Sequence, residues 1–160
     1  SIAVQAALTG HLVFSTLHTN SSVAAINRLV DMGVEKFLIS SSLLGVLAQR
    51  LIRRVCLHCK EEDYLAESYA NQFNLSDDTK IYKAVGCKEC NFTGYSGRSA
   101  LGELFIIDDK IKTYIKGEIE DHTLEQIAVE NKMIPIKQQV INLLINGETT
   151  LEEAIRIGIK

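Results

Sequence analysis

All four cysteines of the chain fall in two C-x-x-C pairs, and this spacing constrains the fold more than any other feature of the sequence. The pairs are Cys56 with Cys59 and Cys87 with Cys90, and residues 60–86 lie between them. Two residues between cysteines let both thiolates bind the same tetrahedral ion, and two such pairs complete a closed four-sulfur shell. The sequence therefore predicts a structural zinc site, with no coordination position left for water.

Four paired cysteines can also form disulfides, a redox-active dithiol, an iron–sulfur site or free thiols. Disulfides are disfavoured because the chain has the features of a cytosolic protein, and a redox pair is disfavoured because the two pairs are equivalent. An iron–sulfur site and thiols without a metal stay open as alternatives. His58, inside the first pair, is interpreted as a bystander or as a hydrogen-bond donor to the site.

Length and composition indicate a globular chain without a membrane-spanning segment. The 160 residues are 46% hydrophobic, and the net charge of −3 argues against nucleic-acid binding over the whole surface. The apolar run 37–49 contains three serines and is shorter than the roughly 20 residues that a membrane helix needs. The first ten residues resemble the end of a helix closed by Gly10 and not a signal peptide, so we expect a fragment of a longer protein.

Hydrophobic periodicity predicts the elements of the first third of the chain. Residues 12–17 are nearly all apolar and rich in β-branched and aromatic types, which predicts a strand covered on both faces of a parallel sheet. Asn20 or Ser21 is predicted to cap a helix that ends at Gly33. A second helix is predicted over 35–49 and is apolar on nearly all sides.

The composition changes at the cysteines, and residues 56–98 are predicted to be an inserted module. A strand is predicted over 99–107, and the remainder is predicted to be a small bundle of helices. The local signals for those helices are two capping boxes, Thr123 with Gln126 and Thr150 with Glu153, a break at Pro135 and a helix end at Gly147.

His18 follows the predicted first strand together with Thr19 and Asn20. Open α/β sheets bind their ligands at the carboxyl ends of strands, so this cluster is a candidate binding site. A hydrogen-bonded structural histidine is the alternative interpretation. The chain has no G-x-x-x-x-G-K-[ST] phosphate loop, and the residues alone leave the choice open.

Several sequence strings resemble the secretion ATPases of bacterial type II secretion and type IV pilus assembly. They are AVQAALTGHLVFSTLHTN at 3–20, RLVDMGVEKFLISSSLLGVLAQRL at 28–51, then CLHC, CKEC and GYSGR. In that family the first string is the histidine box of a RecA-like domain. The resemblance implies that His18 faces the γ-phosphate of ATP, that Thr16, Thr19 and Asn20 support it, and that Gln49 and Arg50 lie at the nucleotide edge or at a subunit contact.

The resemblance implies an α/β fold, namely the carboxyl-terminal part of a RecA-like P-loop ATPase domain with an inserted tetracysteine zinc module and a small helical region. The expected domains are a partial ATPase core over 1–55, the zinc module over 56–98, and a strand with carboxyl-terminal helices over 99–160. Leu57 replaces a proline that family members commonly carry after the first cysteine. Retraction ATPases of the superfamily lack the cysteine module, so its presence favours an assembly or secretion motor.

The function implied by the resemblance is that of a cytoplasmic hexameric motor that hydrolyses ATP, with Mg²⁺, to drive pseudopilus assembly for type II protein secretion. The expected partners are the cytoplasmic domains of inner-membrane platform proteins, at the cytoplasmic face of that membrane. The Walker A and Walker B motifs are expected upstream of Ser1, so this piece alone is expected to be inactive.

Two other functions are kept as alternatives. The first is a type IV pilus assembly ATPase of the same family. The second is a stand-alone zinc-ribbon interaction or nucleic-acid module, which Arg50, Arg53, Arg54 and Lys60 near the first cysteines would support. The acidic spacer, the absence of tryptophan and the lack of aromatics among those basic residues argue against it, and no nucleic acid is expected as a partner.

Overall fold

Helices and strands follow one another along the chain in the computed structural model, which describes residues 2–19, 21–117 and 121–159. The helices are α1 (Ile2–Leu8), α2 (Ala24–Asp31), α3 (Lys36–Ser42), α4 (Glu67–Phe73), α5 (Asp109–Ile115), α6 (Asp121–Glu130), α7 (Ile136–Ile145) and α8 (Leu151–Arg156). The strands are β1 (Gly45–Val55), β2 (Glu61–Tyr64), β3 (Lys80–Lys83) and β4 (Tyr95–Ile106), with a 3₁₀ turn at Lys88–Cys90. The fold is therefore of the α/β type, as predicted.

The strands form two two-stranded sheets, one of β1 with β4 and one of β2 with β3. Ile107 N–H donates to Leu44 O at 3.0 Å and Cys56 N–H donates to Gly94 O at 2.9 Å, so β1 and β4 run antiparallel. β2 and β3 are also antiparallel, and Glu61 pairs with Lys83. Among the described residues, no helix is both long enough and apolar enough to cross a membrane.

The chain divides into two compact units, each assembled from segments that are distant in the sequence. The first comprises Ser1–Ala48 and Gly102–Ile134, and the second comprises Gln49–Leu101 and Pro135–Lys160. The three consecutive domains expected from the sequence stay a prediction about the organisation of the protein.

The first unit has an apolar core built by its helices and by the end of β4. α2 and α3 bury Ile26 and Ile39, and β4 contributes Phe105. The other buried members are Val23, Val34, Ile107, Ile111, Ile115, Leu124, Ile127, Ala128 and Met133. Along β4 the buried positions alternate, and one of them is an acid, Glu103. A carboxylate therefore occupies a core position of this strand.

The second unit has its own core, formed by α4, β3 and α7. Its buried residues are Leu65, Ala70, Phe73, Ile81, Ile141 and Leu144. Tyr69, Leu75, Leu151 and Ile159 pack against them. The acidic region between the cysteine pairs is thus an ordered part of this unit and not a loose spacer.

The predicted helix that follows Ser21 is confirmed. α2 begins at Ala24, and Ser21 Oγ accepts a hydrogen bond from Ala24 N–H at 3.2 Å. The chain leaves the helix at Gly33, which has φ +83°. That left-handed conformation costs a glycine little, which explains why the helix ends there.

The prediction of a strand over 12–17 is wrong for this chain. Residues 11–19 form neither helix nor strand, and the side chain of Phe14 is 89% exposed. A strand is stabilised by hydrogen bonds to a neighbouring strand, and none of the strands in the described part of the chain pairs with these residues. Apolar composition alone therefore does not form a strand here.

The second half of the predicted helix over 35–49 is also wrong. α3 ends at Ser42, Leu43 has extended backbone angles (φ −82°, ψ 126°), and β1 begins at Gly45. β1 pairs with β4, a partner far away in the sequence, and that pairing outweighs the local pattern. Gly45 fits because a Cβ there would lie only 3.1 Å from Phe105 O.

The predictions for the last third are largely confirmed. β4 includes most of the predicted strand, Pro135 separates α6 from α7, and Thr150 Oγ1 accepts from Glu153 N–H at 3.2 Å at the start of α8. The capping role predicted for Thr123 is wrong, because α6 already begins at Asp121 and Thr123 lies inside it.

Glu153 links two elements of the second unit, β1 and α8. It has no solvent exposure, and its Oε2 accepts from Arg53 N–H at 2.9 Å and from Arg53 Nε at 2.7 Å. Its Oε1 accepts from Arg156 Nε on its own helix. The guanidinium of Arg53 lies 4.0 Å from the centre of the Tyr95 ring on β4, and Tyr95 Oη lies 2.8 Å from Thr150 Oγ1. This buried carboxylate therefore ties β1 and α8 together.

Burial by itself raises the pKa of Glu153, but the hydrogen bonds from Arg53 and Arg156 outweigh it and lower the pKa below its usual range.

We expect Glu153→Gln to lower the free energy of unfolding at pH 7 by about 2 kcal/mol, since hydrogen bonds to a charged group are lost. A carboxyl with a lowered folded pKa stabilises above its unfolded pKa and loses that contribution as the pH falls through the folded value. Urea denaturation at decreasing pH should show the difference between parent and variant shrinking in acid.

The matched control is Glu152→Gln, which removes an exposed carboxylate from the same helix. We expect it to change stability by less than about 0.5 kcal/mol. A difference between parent and Glu153→Gln that is absent at pH 7, or that stays constant into strong acid, would contradict the assignment.

Candidate metal centre

The four cysteine sulfurs converge on one point of the second unit. All four Sγ atoms lie within 4.8 Å of one another. The Cys56 and Cys87 sulfurs are 4.0 Å apart, and Cys90 Sγ lies 3.8 Å from both Cys59 Sγ and Cys87 Sγ. Zinc–sulfur bonds of about 2.3 Å in a tetrahedron separate the sulfurs by about 3.8 Å. The geometry therefore fits a tetrahedral metal ion.

Each C-x-x-C pair is folded as a tight turn around the carbonyl of its first cysteine. Cys56 O accepts from Lys60 N–H at 3.0 Å, and Cys87 O accepts from Phe92 N–H at 2.8 Å. Asn91 and Phe92 adopt positive φ angles of 51° and 61°, which few side chains favour. The two turns bring each pair of sulfurs to the same side of the backbone.

Backbone N–H groups point at two of the sulfurs. Cys59 Sγ accepts from Gly86 N–H, and Cys90 Sγ accepts from Cys87 N–H and Gly94 N–H, all at 3.2 Å. Such donors stabilise thiolates, which are the metal-binding form of cysteine. They form a hydrogen-bonded shell around the sulfurs of the kind that tunes metal sites.

Glycines make this shell possible. Gly86 has φ +110°, and a Cβ there would lie 2.7 Å from Phe92 O. Gly94 has φ +76°, and a Cβ there would lie 2.7 Å from Ala84 Cβ. Both positions combine a left-handed backbone with close neighbours, so larger residues would displace the turns that carry the cysteines.

The surroundings shift the pKa values of Cys59 and Cys90 in opposite directions. Burial raises the pKa of Cys59 to about 11, although the Gly86 N–H opposes this. Burial also raises the pKa of Cys90, but the N–H groups of Cys87 and Gly94 outweigh it and lower that pKa to about 6. A metal binds thiolates, so its binding to the cluster releases protons.

The first knuckle, residues 56–60, is bound to the chain that follows α7. Val55 N–H donates to Glu148 O at 2.9 Å, and Lys60 Nζ donates to Gly147 O at 2.8 Å. The Lys60 ammonium also lies 4.1 Å from the centre of the Tyr82 ring on β3. The cysteine cluster and the last helices thus belong to one folded unit.

The cluster is a set of free thiols, since none of the four cysteines forms a disulfide. The group contains no histidine, and His58 points its side chain to solvent. Four protein ligands leave no open position on a tetrahedral ion, so a metal here can hold the fold but cannot activate a water molecule. The predicted ligand set, Cys56, Cys59, Cys87 and Cys90, is therefore brought together.

The residues predicted to contact a nucleotide are distributed over both compact units. Thr16 and His18 are exposed on the irregular segment after α1, and Thr19 Oγ1 donates to Ser21 O at 3.0 Å. Asn20 lies outside the described residues. Gln49 is exposed on β1, Arg50 next to it is half-buried, and both belong to the other compact unit. Their role at a nucleotide stays a prediction.

Sequence reasoning missed two buried carboxylates. The sequence pattern indicates Glu153 only as the partner in a capping box, although its side chain binds Arg53 and Arg156. Glu103 lies on a strand whose other buried positions are apolar. Its signal is visible in the sequence, because an acid interrupts the alternating apolar residues Leu101, Phe105 and Ile107. An acid at a core position is stable only with hydrogen-bond donors, and those donors point to a structural or functional task.

Comparison with known proteins places these features in a family. The model of the family described as "Type II/IV secretion system protein" matches residues 1–156. Type II secretion system protein E of Dickeya dadantii is 47% identical over 157 residues, which cover 98% of this chain and 31% of that protein. Type II secretion system ATPase E of Vibrio cholerae is 46% identical over 161 residues, with the same two coverages.

A pilus protein and a solved structure are also similar. Type IV pilus assembly ATPase PilB of Thermus thermophilus is 44% identical over 158 residues, covering 96% of this chain and 18% of that protein. The crystal structure of the pilus retraction motor PilT with bound ADP superposes with a TM-score of 0.62 at 25% identity, covering 99% of this chain and 36% of that one. The chain spans about a third of the length of the type II secretion relatives. Since the family model extends over nearly all of its 160 residues, the chain belongs to the type II/IV secretion system protein family.

Proposed function

We propose that the chain is the carboxyl-terminal part of a cytoplasmic, hexameric motor ATPase that powers type II protein secretion by assembling a pseudopilus. The observation that carries the proposal is the 47% identity to a type II secretion system protein E over 98% of the chain. The Vibrio cholerae relative, which is named an ATPase, is similar over the same share. The activity belongs to the complete protein, and this chain alone is proposed to be inactive.

The proposed architecture is a RecA-like ATPase core that this chain completes. The superposition on a pilus retraction motor with bound ADP supports that assignment. In the complete protein, strands from outside this chain would pair with residues 12–17 and give this apolar segment the partners that it lacks here. The exposure of Leu12 and Phe14 is consistent with a surface that another part of the protein covers.

The proposed nucleotide-site residues are His18, with Thr16, Thr19 and Asn20 beside it, and Gln49 and Arg50 at the edge. ATP hydrolysis with Mg²⁺ supplies the energy of the motor, and phosphate loop and acidic residues outside this chain would hold the nucleotide. The task of His18 is to direct a ring N–H at the γ-phosphate, where negative charge is redistributed in the transition state. A hydrogen-bond donor on a segment that is anchored at one end suits this task, because the anchor fixes the position of the donor before the reaction begins.

The metal proposed for the cysteine cluster is zinc. The four sulfurs offer a complete tetrahedral thiolate set, which is the usual ligand set of structural zinc. The ion would stabilise the second unit and present it to partners, for which we propose the cytoplasmic domains of inner-membrane platform proteins. The motor would then work at the cytoplasmic face of that membrane.

A type IV pilus assembly ATPase is the second candidate, favoured by the 44% identity to PilB of Thermus thermophilus. The two candidates share the chemistry and the motor, and they differ in the filament that is assembled. A stand-alone zinc-ribbon module is not carried further, because the family match extends over residues 1–156 and not only over the cysteine region.

The complete protein should hydrolyse ATP, and His18→Ala should lower kcat by at least about 100-fold, as removal of one transition-state donor does. Steady-state phosphate release at saturating ATP measures it. The control is His122→Ala on the exposed face of α6, which should leave kcat unchanged. A complete protein without ATPase activity contradicts the proposed function, and near-normal turnover in His18→Ala removes His18 from the mechanism.

Elemental analysis of the purified protein should give one zinc per chain. Chelation should unfold residues 56–98 and weaken α7, because the first knuckle is hydrogen-bonded to Gly147 and Glu148. Hydrogen exchange followed by mass spectrometry measures both regions against α2 as an internal reference. A metal-free protein with freely reactive thiols and unchanged exchange would contradict the zinc assignment.

Gly94→Ala should weaken zinc binding by about 10- to 100-fold, the usual cost of disturbing groups around metal ligands. The added Cβ would clash with Ala84 and displace the N–H that donates to Cys90 Sγ. Gly97→Ala is a matched control, since Gly97 has the same φ of +76° with nothing within 4 Å of its Cβ position. Competition with a chromogenic chelator measures both affinities, and equal losses in the two variants would mean that backbone strain alone is responsible.

A further inference from the structure

We propose that Glu103 is a positioning residue for His18, acting through Ser22. The inference rests on the proposed function, because it assigns a way of holding the histidine segment, residues 16–19, in place. Glu103 lies on β4 and is 85 positions away from His18 in the sequence, and no motif described above includes it.

The carboxylate of Glu103 accepts two hydrogen bonds from Ser22, a residue that follows the histidine segment. Glu103 is 5% exposed, and its Oε1 accepts from Ser22 N–H at 3.0 Å and from Ser22 Oγ at 2.5 Å. Ser22 has no solvent exposure, and its Oγ also lies 3.5 Å from Met133 Sδ. Both the backbone and the side chain of Ser22 are thus bound to a core position.

Hydrogen bonds also restrain Ser21, the residue before Ser22. Ser21 Oγ accepts from Ala24 N–H at 3.2 Å at the start of α2, and Ser21 O accepts from Thr19 Oγ1 at 3.0 Å. His18 is four positions before Ser22, so its Cα lies within about 14 Å of the anchored residue. The carboxyl-terminal end of the histidine segment is therefore held by hydrogen bonds, although the whole segment lies outside helices and strands.

Packing alone does not explain a carboxylate at this position. Leu101, Phe105 and Ile107 occupy the alternate positions of the strand, and an apolar side chain would fill the same space without a desolvation cost. A carboxylate adds what an apolar group lacks, namely a fixed acceptor for two donors of one residue. Since an error of about 1 Å in the position of a catalytic group can lower a rate by about 100-fold, such a fixed point matters for a histidine four positions away.

The test uses the complete protein with Glu103→Met, Ser22→Ala, both changes together, His18→Ala, and Glu125→Gln as the control. Glu125 is exposed on α6 of the same unit. Methionine is similar in size to glutamate but has no oxygen that accepts from Ser22. We expect Glu103→Met to lower kcat for ATP by about 10-fold or more with KM changed by less than about threefold, and to accelerate hydrogen exchange over residues 16–23. The double variant should be no slower than Glu103→Met alone, since that change already removes the acceptor of the Ser22 hydroxyl.

The outcomes separate this inference from the proposed function. A complete protein without ATPase activity contradicts the proposed function, whereas an unchanged kcat in His18→Ala removes His18 from the mechanism and this inference with it. An unchanged kcat in Glu103→Met beside a reduced kcat in His18→Ala overturns only this inference, as do unchanged exchange over residues 16–23 or additive effects in the double variant. If Glu103→Met does not fold, Ser22→Ala carries the test, because it keeps the bond from Ser22 N–H. It should lower kcat severalfold, whereas Glu125→Gln should leave kcat unchanged.

Discussion

Each compact unit is organised around one buried carboxylate that accepts both the backbone and the side-chain donor of a single residue. In the first unit Glu103 Oε1 accepts from Ser22 N–H and Oγ, and in the second Glu153 Oε2 accepts from Arg53 N–H and Nε. A buried carboxylate without donors is strongly destabilising, so the surrounding chain must keep these donors in place. Glu103 thereby holds the residue that follows the proposed histidine segment, and Glu153 holds the strand that leads to the cysteine cluster.

In the second unit the carboxylate and the cysteine cluster act on the same stretch of chain. Arg53, the partner of Glu153, is three residues before Cys56, and Val55 between them is hydrogen-bonded to Glu148. The first knuckle therefore begins at the end of β1, where Arg53 binds Glu153 and Val55 binds Glu148. At the other end of the knuckle, Lys60 Nζ donates to Gly147 O. The cysteine cluster and the packed helices therefore belong to the same unit, which also includes the acidic region between the two cysteine pairs.

The first unit contrasts with this arrangement, because its proposed functional segment lies outside helices and strands. Residues 11–19 carry apolar side chains to solvent and form no strand, although their composition is that of a buried one. The type II secretion relatives are about three times as long as the chain, which agrees with the proposal that other strands of the complete protein cover this segment. The proposed chemistry of His18 would then depend on two supports, the anchor at Ser22 and the sheet around residues 12–17.

The sequence by itself determined the features that depend on neighbouring residues. The C-x-x-C spacing predicted the two cysteine pairs that form the cluster, Thr150 the start of α8, and Gly33 the end of α2, because each signal acts within one turn of chain. Only the tertiary structure decided that residues after Leu43 form β1, that residues 12–17 form no strand, and that Glu103 and Glu153 bind donors far away in the sequence. Strands and buried charges depend on partners that folding brings together, and no local pattern names those partners.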